Sequence, residues 1–339
     1  MTRATLRSVA ALAGVSRQTV SNVLNNNPGM SESTRMAVLA AMEALDYQPS
    51  HAARALSRAR ANTMAYVVYE PTAASFADPY VGHIVTGVYH TLRACGFDLM
   101  THSIGTGRPE DLSTLRGLFQ QQRIDGILLV AGQVPDDIVA ELDRWPYPVV
   151  IFDREWPGGN LTSVTAAHQD GLRQAIEHHA ARGRQRVAFV GGPSPSRSSV
   201  AEARYQGYLQ GLANAGLPFR PEYVVQGDWS HSSGRQALSK LLALPDPPDA
   251  VAAASDAMAA GVLQEARARG LTVPQELGVT GYDDFEVAYW LDPQLTTVHL
   301  PVEEMAVQAT RLLLELVTGE RPVAQQFIVP VQLVVRGSS

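Results

Sequence analysis

From about Met64 onward, short apolar runs alternate with stretches of helical periodicity, and this alternation limits the fold more than any other feature of the chain. A first set of runs reads TMAYVVYE, DLMTHS, GILLVA and PVVIFD, with helical stretches at Pro79–Cys95 and Glu110–Gln122. A second set reads SVTAA, RVAFVGG, YVVQGD, AVAAAS and LGVTGYDD. Strands that alternate with helices favour parallel sheets covered by helices on both faces. The two sets predict an α/β body of two similar lobes, with a ligand cleft at the carboxyl ends of the strands.

Length and composition exclude several classes of protein. At 339 residues the chain is too long for one ordinary core, so two or three domains are expected. It has no apolar run of about 18 residues and no signal peptide, so we expect no membrane span and a location in the bacterial cytoplasm. The single cysteine, Cys95, excludes an internal disulfide and a Cys-rich metal site. No catalytic set can be argued, so we expect neither an enzyme nor a cofactor.

Charge is distributed unevenly along the chain. Residues 1–60 contain seven arginines against three acidic residues, whereas the remainder contains 20 basic and 30 acidic residues. A basic head on an acidic body favours the binding of a polyanion through the head.

The basic head contains a helix-turn-helix pattern. Thr5 caps a first helix and Ser16 caps a second, and only Gly14 and Val15 lie between them. So short a link forces the two helices to cross steeply. A third helix begins near Ser31 and completes a small three-helix core. The apolar faces predicted for the three helices are Leu6, Val9, Ala10 and Ala13; Val20, Val23 and Leu24; and Val38, Leu39, Met42 and Leu45.

The second helix presents a polar face that suits the major groove of DNA. Its outward residues are Arg17, Gln18, Ser21 and Asn22. Arginine pairs with guanine, and glutamine or asparagine pairs with adenine. Donors placed to reach phosphates are Ser16, Thr19, Asn25 and Ser31.

The segments LRSVAALAGVSRQTVSNVLN, MSESTR and ALDYQPSHAARALS resemble the headpiece of the lactose-repressor (LacI/GalR) family. The resemblance implies double-stranded operator DNA as partner and a hinge helix after the third helix. It implies that Leu56 wedges into the minor groove, with Ala53 beside it, and that Tyr47 and Ser50 contact the DNA backbone. The predicted DNA-binding set also includes Leu6. Two positions depart from the family pattern, Ser8 and Asn22, so the operator is expected to differ from common family sites.

The resemblance extends over the body. Matching landmarks include IDGILLV at 124–130, HQDG at 168–171, EARYQGY at 202–208, GDWS at 227–230 and GYDD at 281–284. It implies the fold of periplasmic sugar receptors, with chain crossings between the lobes near Thr165, Thr296 and Gln326. The predicted domains are a headpiece at 1–48, a hinge at 49–61 and an effector-binding and dimerisation domain at 62–339. Within that domain, lobe 1 covers about 62–165 and 297–326, and lobe 2 about 166–296 and 327–339.

Charged and aromatic residues near strand ends predict the effector site. Carboxylates and guanidinium groups can hydrogen bond vicinal hydroxyls in pairs, as a sugar requires, and aromatic rings can stack on a pyranose. The predicted set is Phe76, Asp78, Tyr80, Asp153, Arg154, Arg204, Trp229, Ser255, Asp256, Asp283 and Trp290. The resemblance itself implies that Asp153, Arg204, Trp229 and Asp283 line the site. For His168, His178 and His179 a surface position is favoured.

These features predict a transcription repressor controlled by a small molecule. A homodimer would bind a near-palindromic operator, and a mono- or disaccharide inducer would release it. A dimer is expected because the chain ends at VVRGSS without a leucine-heptad tail. Co-repression by a purine is the alternative within this class. A sugar receptor for transport and an enzyme of the doubly wound class are the competing functions.

Overall fold

The computed structural model describes residues 4–24, 27, 29–47, 60–70, 78–105, 109–193, 198–319 and 325–339. The chain divides into two compact units: Met1–Thr63 with Thr114–Asp125, and Met64–Ser113 with Gly126–Ser339. Five residues predicted to bind DNA or effector lie outside the described residues: Asn25, Ser50, Ala53, Leu56 and Phe76.

The described part of the headpiece contains three helices: α1 at Leu6–Leu12, α2 at Arg17–Leu24 and α3 at Glu32–Ala44. Thr5 caps α1 in a capping box with Ser8, so the serine that departs from the family pattern has a local structural role. Gly14 follows α1 with a φ of 66°, a conformation that glycine adopts at little cost. The buried core is Val9, Ala10, Val20, Val23, Val38 and Ala41.

The predicted place of Leu39 in this core is wrong. Its side chain is 47% exposed, whereas that of Val38 is fully buried. Adjacent helical residues point about 100° apart, so only one of the two can face the core.

Asp125 joins the segment Thr114–Asp125 to the N-terminal unit. Its carboxylate accepts hydrogen bonds from the backbone N–H groups of Ala61 and Thr63, at 2.8 and 3.2 Å. This unit therefore includes a segment that the predicted domain boundaries assign to the body.

The body contains two six-stranded sheets, and the predicted α/β fold class is confirmed. The first sheet has the order β11-β5-β4-β3-β1-β2 and the second β12-β10-β9-β8-β6-β7. The strands of the first sheet are β1 Thr63–Glu70, β2 Asp98–Gly105, β3 Gly126–Val130, β4 Val149–Phe152, β5 Thr162–Ala166 and β11 Gln326–Val329. Those of the second are β6 Val187–Gly191, β7 Val224–Gln226, β8 Ala250–Ala253, β9 Gly278–Asp283, β10 Thr296–His299 and β12 Gln332–Val334.

Helices follow most strands, as the alternation predicts. The α-helices that the structure describes after the headpiece are α4 Pro79–Ala94, α5 Pro109–Gln120, α6 Asp136–Leu142, α7 His168–Ala181, α8 Ser199–Ala215, α9 His231–Leu242, α10 Asp256–Ala268, α11 Val287–Trp290 and α12 Val302–Thr318. Along the described ranges, no helix combines the length and the apolar character needed to cross a bilayer.

The chain crosses between the sheets three times. The first crossing follows β5, which pairs with β4 and β11 in the first sheet, although the sequence placed SVTAA in the second set. β10 pairs with β9 and β12 in the second sheet, and β11 pairs with β5 in the first. The crossings predicted near Thr296 and Gln326 are therefore wrong by the length of one strand, because the chain changes lobe only after β10 and after β11. Below, lobe 1 is the first sheet with its helices and lobe 2 is the second.

Candidate functional site

The polar face of α2 is formed as predicted from its helical period. Arg17 and Gln18 are exposed, and the Gln18 amide donates to the Asn22 side-chain oxygen at 3.1 Å. Ser16 accepts from the backbone N–H of Thr19 at 3.0 Å, so it caps the helix. Thr19, Ser21 and Asn22 are half-buried.

Three other residues of the predicted DNA-binding set have local roles in the headpiece. Leu6 and Tyr47 are half-buried and pack against the headpiece core. Ser31 caps α3 and accepts from the backbone N–H of Thr34 at 3.2 Å.

The body encloses a cavity of about 330 Å³ at the carboxyl ends of its strands. This volume is at the lower end of the range for small-molecule sites, about 300–1,000 Å³. Residues at or just after β1, β3 and β4 of lobe 1 and β8 and β9 of lobe 2 line it. The predicted effector residues among the lining are Asp78, Tyr80, Asp153, Arg204, Trp229, Ser255, Asp256, Asp283 and Trp290.

Arg204, on α8, is the central cation of this cavity. It is buried, donates to the Ala254 carbonyl, and pairs with Asp283 at 3.6 Å. Its guanidinium lies 3.7 Å from the ring centroid of Tyr282 and 5.4 Å from that of Trp229. Its Nε–H is buried and has no hydrogen-bond partner among the described residues. Arg204 therefore retains a donor for a ligand oxygen.

Asp153 lies just after β4, and both of its carboxylate oxygens have hydrogen-bond partners. The Tyr80 hydroxyl donates to Oδ2, and Nε2 of His168 lies 2.9 Å from Oδ1. Burial would raise the pKa of Asp153, but interaction with His168, the hydrogen bond from Tyr80 and the charge of Arg204 lower it below its ordinary value. Lobe 1 therefore presents an ionised carboxylate to the cavity.

Asp283, at the end of β9, is the corresponding carboxylate of lobe 2. Burial raises its pKa well above the ordinary value; Arg204 opposes this rise, whereas Asp256 and Asp78 add to it. Its φ is 119°, and Asp153 and Trp229 also have left-handed φ values of 60° and 70°. Such conformations cost about 1–3 kcal/mol each and cluster at functional sites. Three residues with strained backbone, Asp153, Trp229 and Asp283, thus line the cavity.

Asp256 and Ser255 line the cavity but are engaged in local hydrogen bonds. Asp256 accepts from the Thr297 hydroxyl at 2.5 Å and from the Phe285 N–H at 2.9 Å. Burial raises its pKa to about 7, although these two hydrogen bonds lower it. Ser255 caps α10 by accepting from the Met258 N–H at 3.2 Å. These two side chains shape the wall of the cavity.

Two tryptophans line the cavity in different ways. Trp229 is half-buried, and a Cβ added at Gly192 would overlap its indole ring. The absence of a side chain at Gly192 therefore makes room for the Trp229 ring. Trp290, in contrast, is 78% exposed.

The predicted place of Arg154 in the effector site is wrong, because Arg154 does not line this cavity. Its guanidinium donates to the Val134 carbonyl and pairs with Asp136. Asp153 and Arg154 are adjacent but diverge, because Asp153 has the left-handed conformation that turns the chain.

The favoured surface position of His168 and His179 is wrong. His168 is 3% exposed and His179 is fully buried, whereas His178 is half-buried. His168 is the first residue of α7, and only Ala167 separates it from the carboxyl end of β5. The strand-end rule that selected Asp153 would have selected it too.

Comparison with known proteins identifies the family. A model described as bacterial regulatory proteins, lacI family, matches residues 5–50, and a periplasmic binding protein-like domain matches residues 176–339. The HTH-type transcriptional regulator CelR of Thermobifida fusca is 37% identical, over 99% of this chain and 98% of that protein.

Two solved structures agree over nearly the whole chain. A CelR–cellobiose complex has a TM-score of 0.75 at 35% identity, covering 99% of this chain and 100% of that one. A lac repressor dimer bound to operator and the anti-inducer ONPF has a TM-score of 0.87 at 28% identity, covering 99% of both chains. The predicted resemblance is confirmed. The chain belongs to the lacI family of bacterial regulatory proteins and is a DNA-binding transcription regulator, not an enzyme.

Proposed function

We propose that a sugar binds in the cavity of the body and controls the affinity of the headpiece for operator DNA. The observation that carries this proposal is the convergence of Asp153, Arg204 and Asp283 on one cavity beside the ring of Trp229. Carboxylates and guanidinium groups bind pairs of hydroxyls, and an aromatic face accepts the apolar face of a pyranose. The cavity therefore combines the groups that a sugar needs.

Cellobiose is the first ligand to test. It is the sugar in the complex of the related CelR. Asp78, Tyr80 and Trp290 complete the proposed effector set, with Ser255 and Asp256 shaping the wall.

We propose that the regulator acts as a repressing homodimer in the cytoplasm. The lac repressor structure similar to this chain is a dimer bound to operator. In a dimer, Arg17, Gln18, Ser21 and Asn22 of each headpiece would read one half-site of a near-palindromic operator. Residues 1–48 would form the headpiece, 49–61 the hinge and 62–339 the effector domain, with the boundaries between lobes moved to follow β10 and β11.

Control requires that sugar and operator prefer different conformers. A sugar that contacts both lobes favours the conformer in which their contacts are complete. If operator binding needs the other conformer, the sugar releases the DNA.

The test is isothermal titration of the full-length protein with cellobiose, glucose, galactosides, guanine and hypoxanthine. We expect one of the sugars to bind, and Arg204→Met to abolish its binding. A purine that binds and strengthens operator affinity, with no sugar bound, would overturn the proposal in favour of co-repression.

A further inference from the structure

His168 lies where the two lobes meet behind the cavity. It begins α7 immediately after the chain leaves β5 of lobe 1, and it is 3% exposed. Its imidazole touches Asp153 of lobe 1 on one side and Tyr282 of lobe 2 on the other. A single side chain thus bridges the two halves of the proposed effector site.

The hydrogen bonds of His168 define which ring nitrogen carries the proton. Nε2 lies 2.9 Å from Oδ1 of the ionised Asp153, which can only accept, so Nε2 donates. Nδ1 lies 3.1 Å from the Tyr282 hydroxyl and 3.5 Å from Nη2 of Arg204, and it accepts from both directions. Burial lowers the pKa of His168, and this effect outweighs the opposing influence of Asp153. The neutral tautomer fits this environment at neutral pH.

A continuous chain of contacts passes through this imidazole. In lobe 1 the Tyr80 hydroxyl donates to Asp153, which accepts from His168. In lobe 2 Tyr282 meets His168, and the guanidinium of Arg204 stacks on the Tyr282 ring. The positions of Asp153 in lobe 1 and of Arg204 in lobe 2 therefore both depend on the His168 ring.

We infer that His168 is a positioning residue that makes the ligand contacts of the two lobes interdependent. It holds the Asp153 carboxylate and supports Tyr282 beneath Arg204, so a ligand bound by one lobe finds the groups of the other lobe in place. This inference rests on the proposed function, because it concerns the same cavity.

His179 provides a matched control on the same helix. It is also buried, and its Nε2 lies 3.1 Å from the Thr280 hydroxyl. Burial, with the charges of His178 and Arg184, lowers its pKa to about 3, so it too is neutral at pH 7. It does not line the cavity. His179→Leu should lower the melting temperature without changing ligand affinity.

The test is a double-mutant cycle on cellobiose affinity, measured by titration calorimetry. Tyr80→Phe and Tyr282→Phe each remove one hydroxyl, on opposite sides of His168. In the wild-type background we expect the two changes to be non-additive by about fivefold or more in Kd. In a His168→Leu background they should become additive, with cellobiose affinity itself reduced about tenfold. His168→Gln, which keeps a donor toward Asp153, should restore part of the affinity.

The possible outcomes separate this inference from the proposed function. Coupling that persists in His168→Leu, or equal losses of affinity in His168→Leu and His179→Leu, would overturn the inference and leave the sugar site standing. Additive effects in the wild-type background would overturn it as well, even if His168→Leu does not fold. If the wild-type protein binds neither cellobiose nor another sugar, the proposed function fails and this inference fails with it.

Discussion

The headpiece and the cavity of the body use polar residues in opposite ways. Among its described residues, the headpiece buries only apolar side chains, such as Val9, Val20 and Val38, and it exposes the polar Arg17 and Gln18. The cavity buries its charges among apolar and aromatic neighbours, with Arg204 only 4% exposed. A charge in such a place is stable only when it is paired and hydrogen bonded. Stability and binding are therefore separable in the headpiece but share the same residues in the cavity.

The largest effect that tests this difference is expected for Arg204→Met. The change leaves Asp283 without its cation, and breaking a buried pair costs about 3–5 kcal/mol. We expect cellobiose affinity to fall by more than about 100-fold and the melting temperature to fall with it. Calorimetry and thermal unfolding measure the two losses. Arg220→Met, which breaks the partly exposed pair with Asp246, is the control. It should change neither the cellobiose affinity nor the melting temperature.

The next effect is expected for Gly192→Ala. The added methyl group would overlap the indole of Trp229, and overpacking of this kind costs about 1–3 kcal/mol. Displacement of the ring should weaken cellobiose binding and shift the tryptophan fluorescence. Gly117→Ala is the control, because a Cβ at Gly117 meets only the end of the Gln121 side chain, at 3.7 Å. This change should leave cellobiose binding and the tryptophan fluorescence unchanged. An unshifted spectrum in Gly192→Ala would contradict this role of the glycine.

In the headpiece, Gln18→Ala should weaken DNA binding without a loss of stability. A side chain that pairs with a base contributes about 1–3 kcal/mol of discrimination. Fluorescence anisotropy with a selected operator should show weaker binding, while the melting temperature and cellobiose affinity stay constant. Val20→Ala is the opposite case, because it removes buried methyl groups and should lower headpiece stability. A drop in stability in Gln18→Ala would break the separation of the two roles.

A separate effect, on stability alone, is a pH dependence due to Asp256. Because burial raises its folded-state pKa to about 7, above its ordinary value, the folded protein binds the proton more tightly than the unfolded chain. This contribution to stability is complete below the unfolded pKa and is lost as the pH rises toward about 7.

Urea unfolding of the wild type and of Asp256→Asn between pH 4.5 and 8 measures this contribution. The asparagine can still accept from Phe285 and can donate to Thr297, so the fold should persist. As the pH rises, the unfolding free energy of the wild type should fall relative to that of Asp256→Asn. A difference that is constant with pH would contradict the raised pKa.

The contrast between the headpiece and the cavity also explains which features could be predicted from the sequence. Helical periodicity predicted the headpiece because a helix places its core residues at fixed spacings along one segment. Strand ends predicted Asp153 and Asp283, since the carboxyl ends of parallel strands lie at one edge of a sheet. These local rules need no knowledge of distant contacts.

Two of the errors, on the burial of His168 and on the lobe of β10, arose where distant contacts decide the structure. The burial of His168 depends on Tyr282, which lies 114 positions along the chain. The lobe to which β10 belongs depends on its pairing with β9 and β12, and a strand as short as Thr296–His299 suits either sheet. Arg154 turned away because of the backbone conformation of its neighbour, which no periodicity reveals.

The most direct test of the account is operator affinity with and without saturating cellobiose, or another sugar that binds, in the wild type and in Arg204→Met. Couplings between sites are commonly about 5- to 150-fold. We predict that the sugar weakens operator binding by at least about fivefold in the wild type and has no effect in Arg204→Met. Operator affinity that is unchanged by every bound sugar, or a response that survives in Arg204→Met, would contradict the claim that this cavity controls DNA binding.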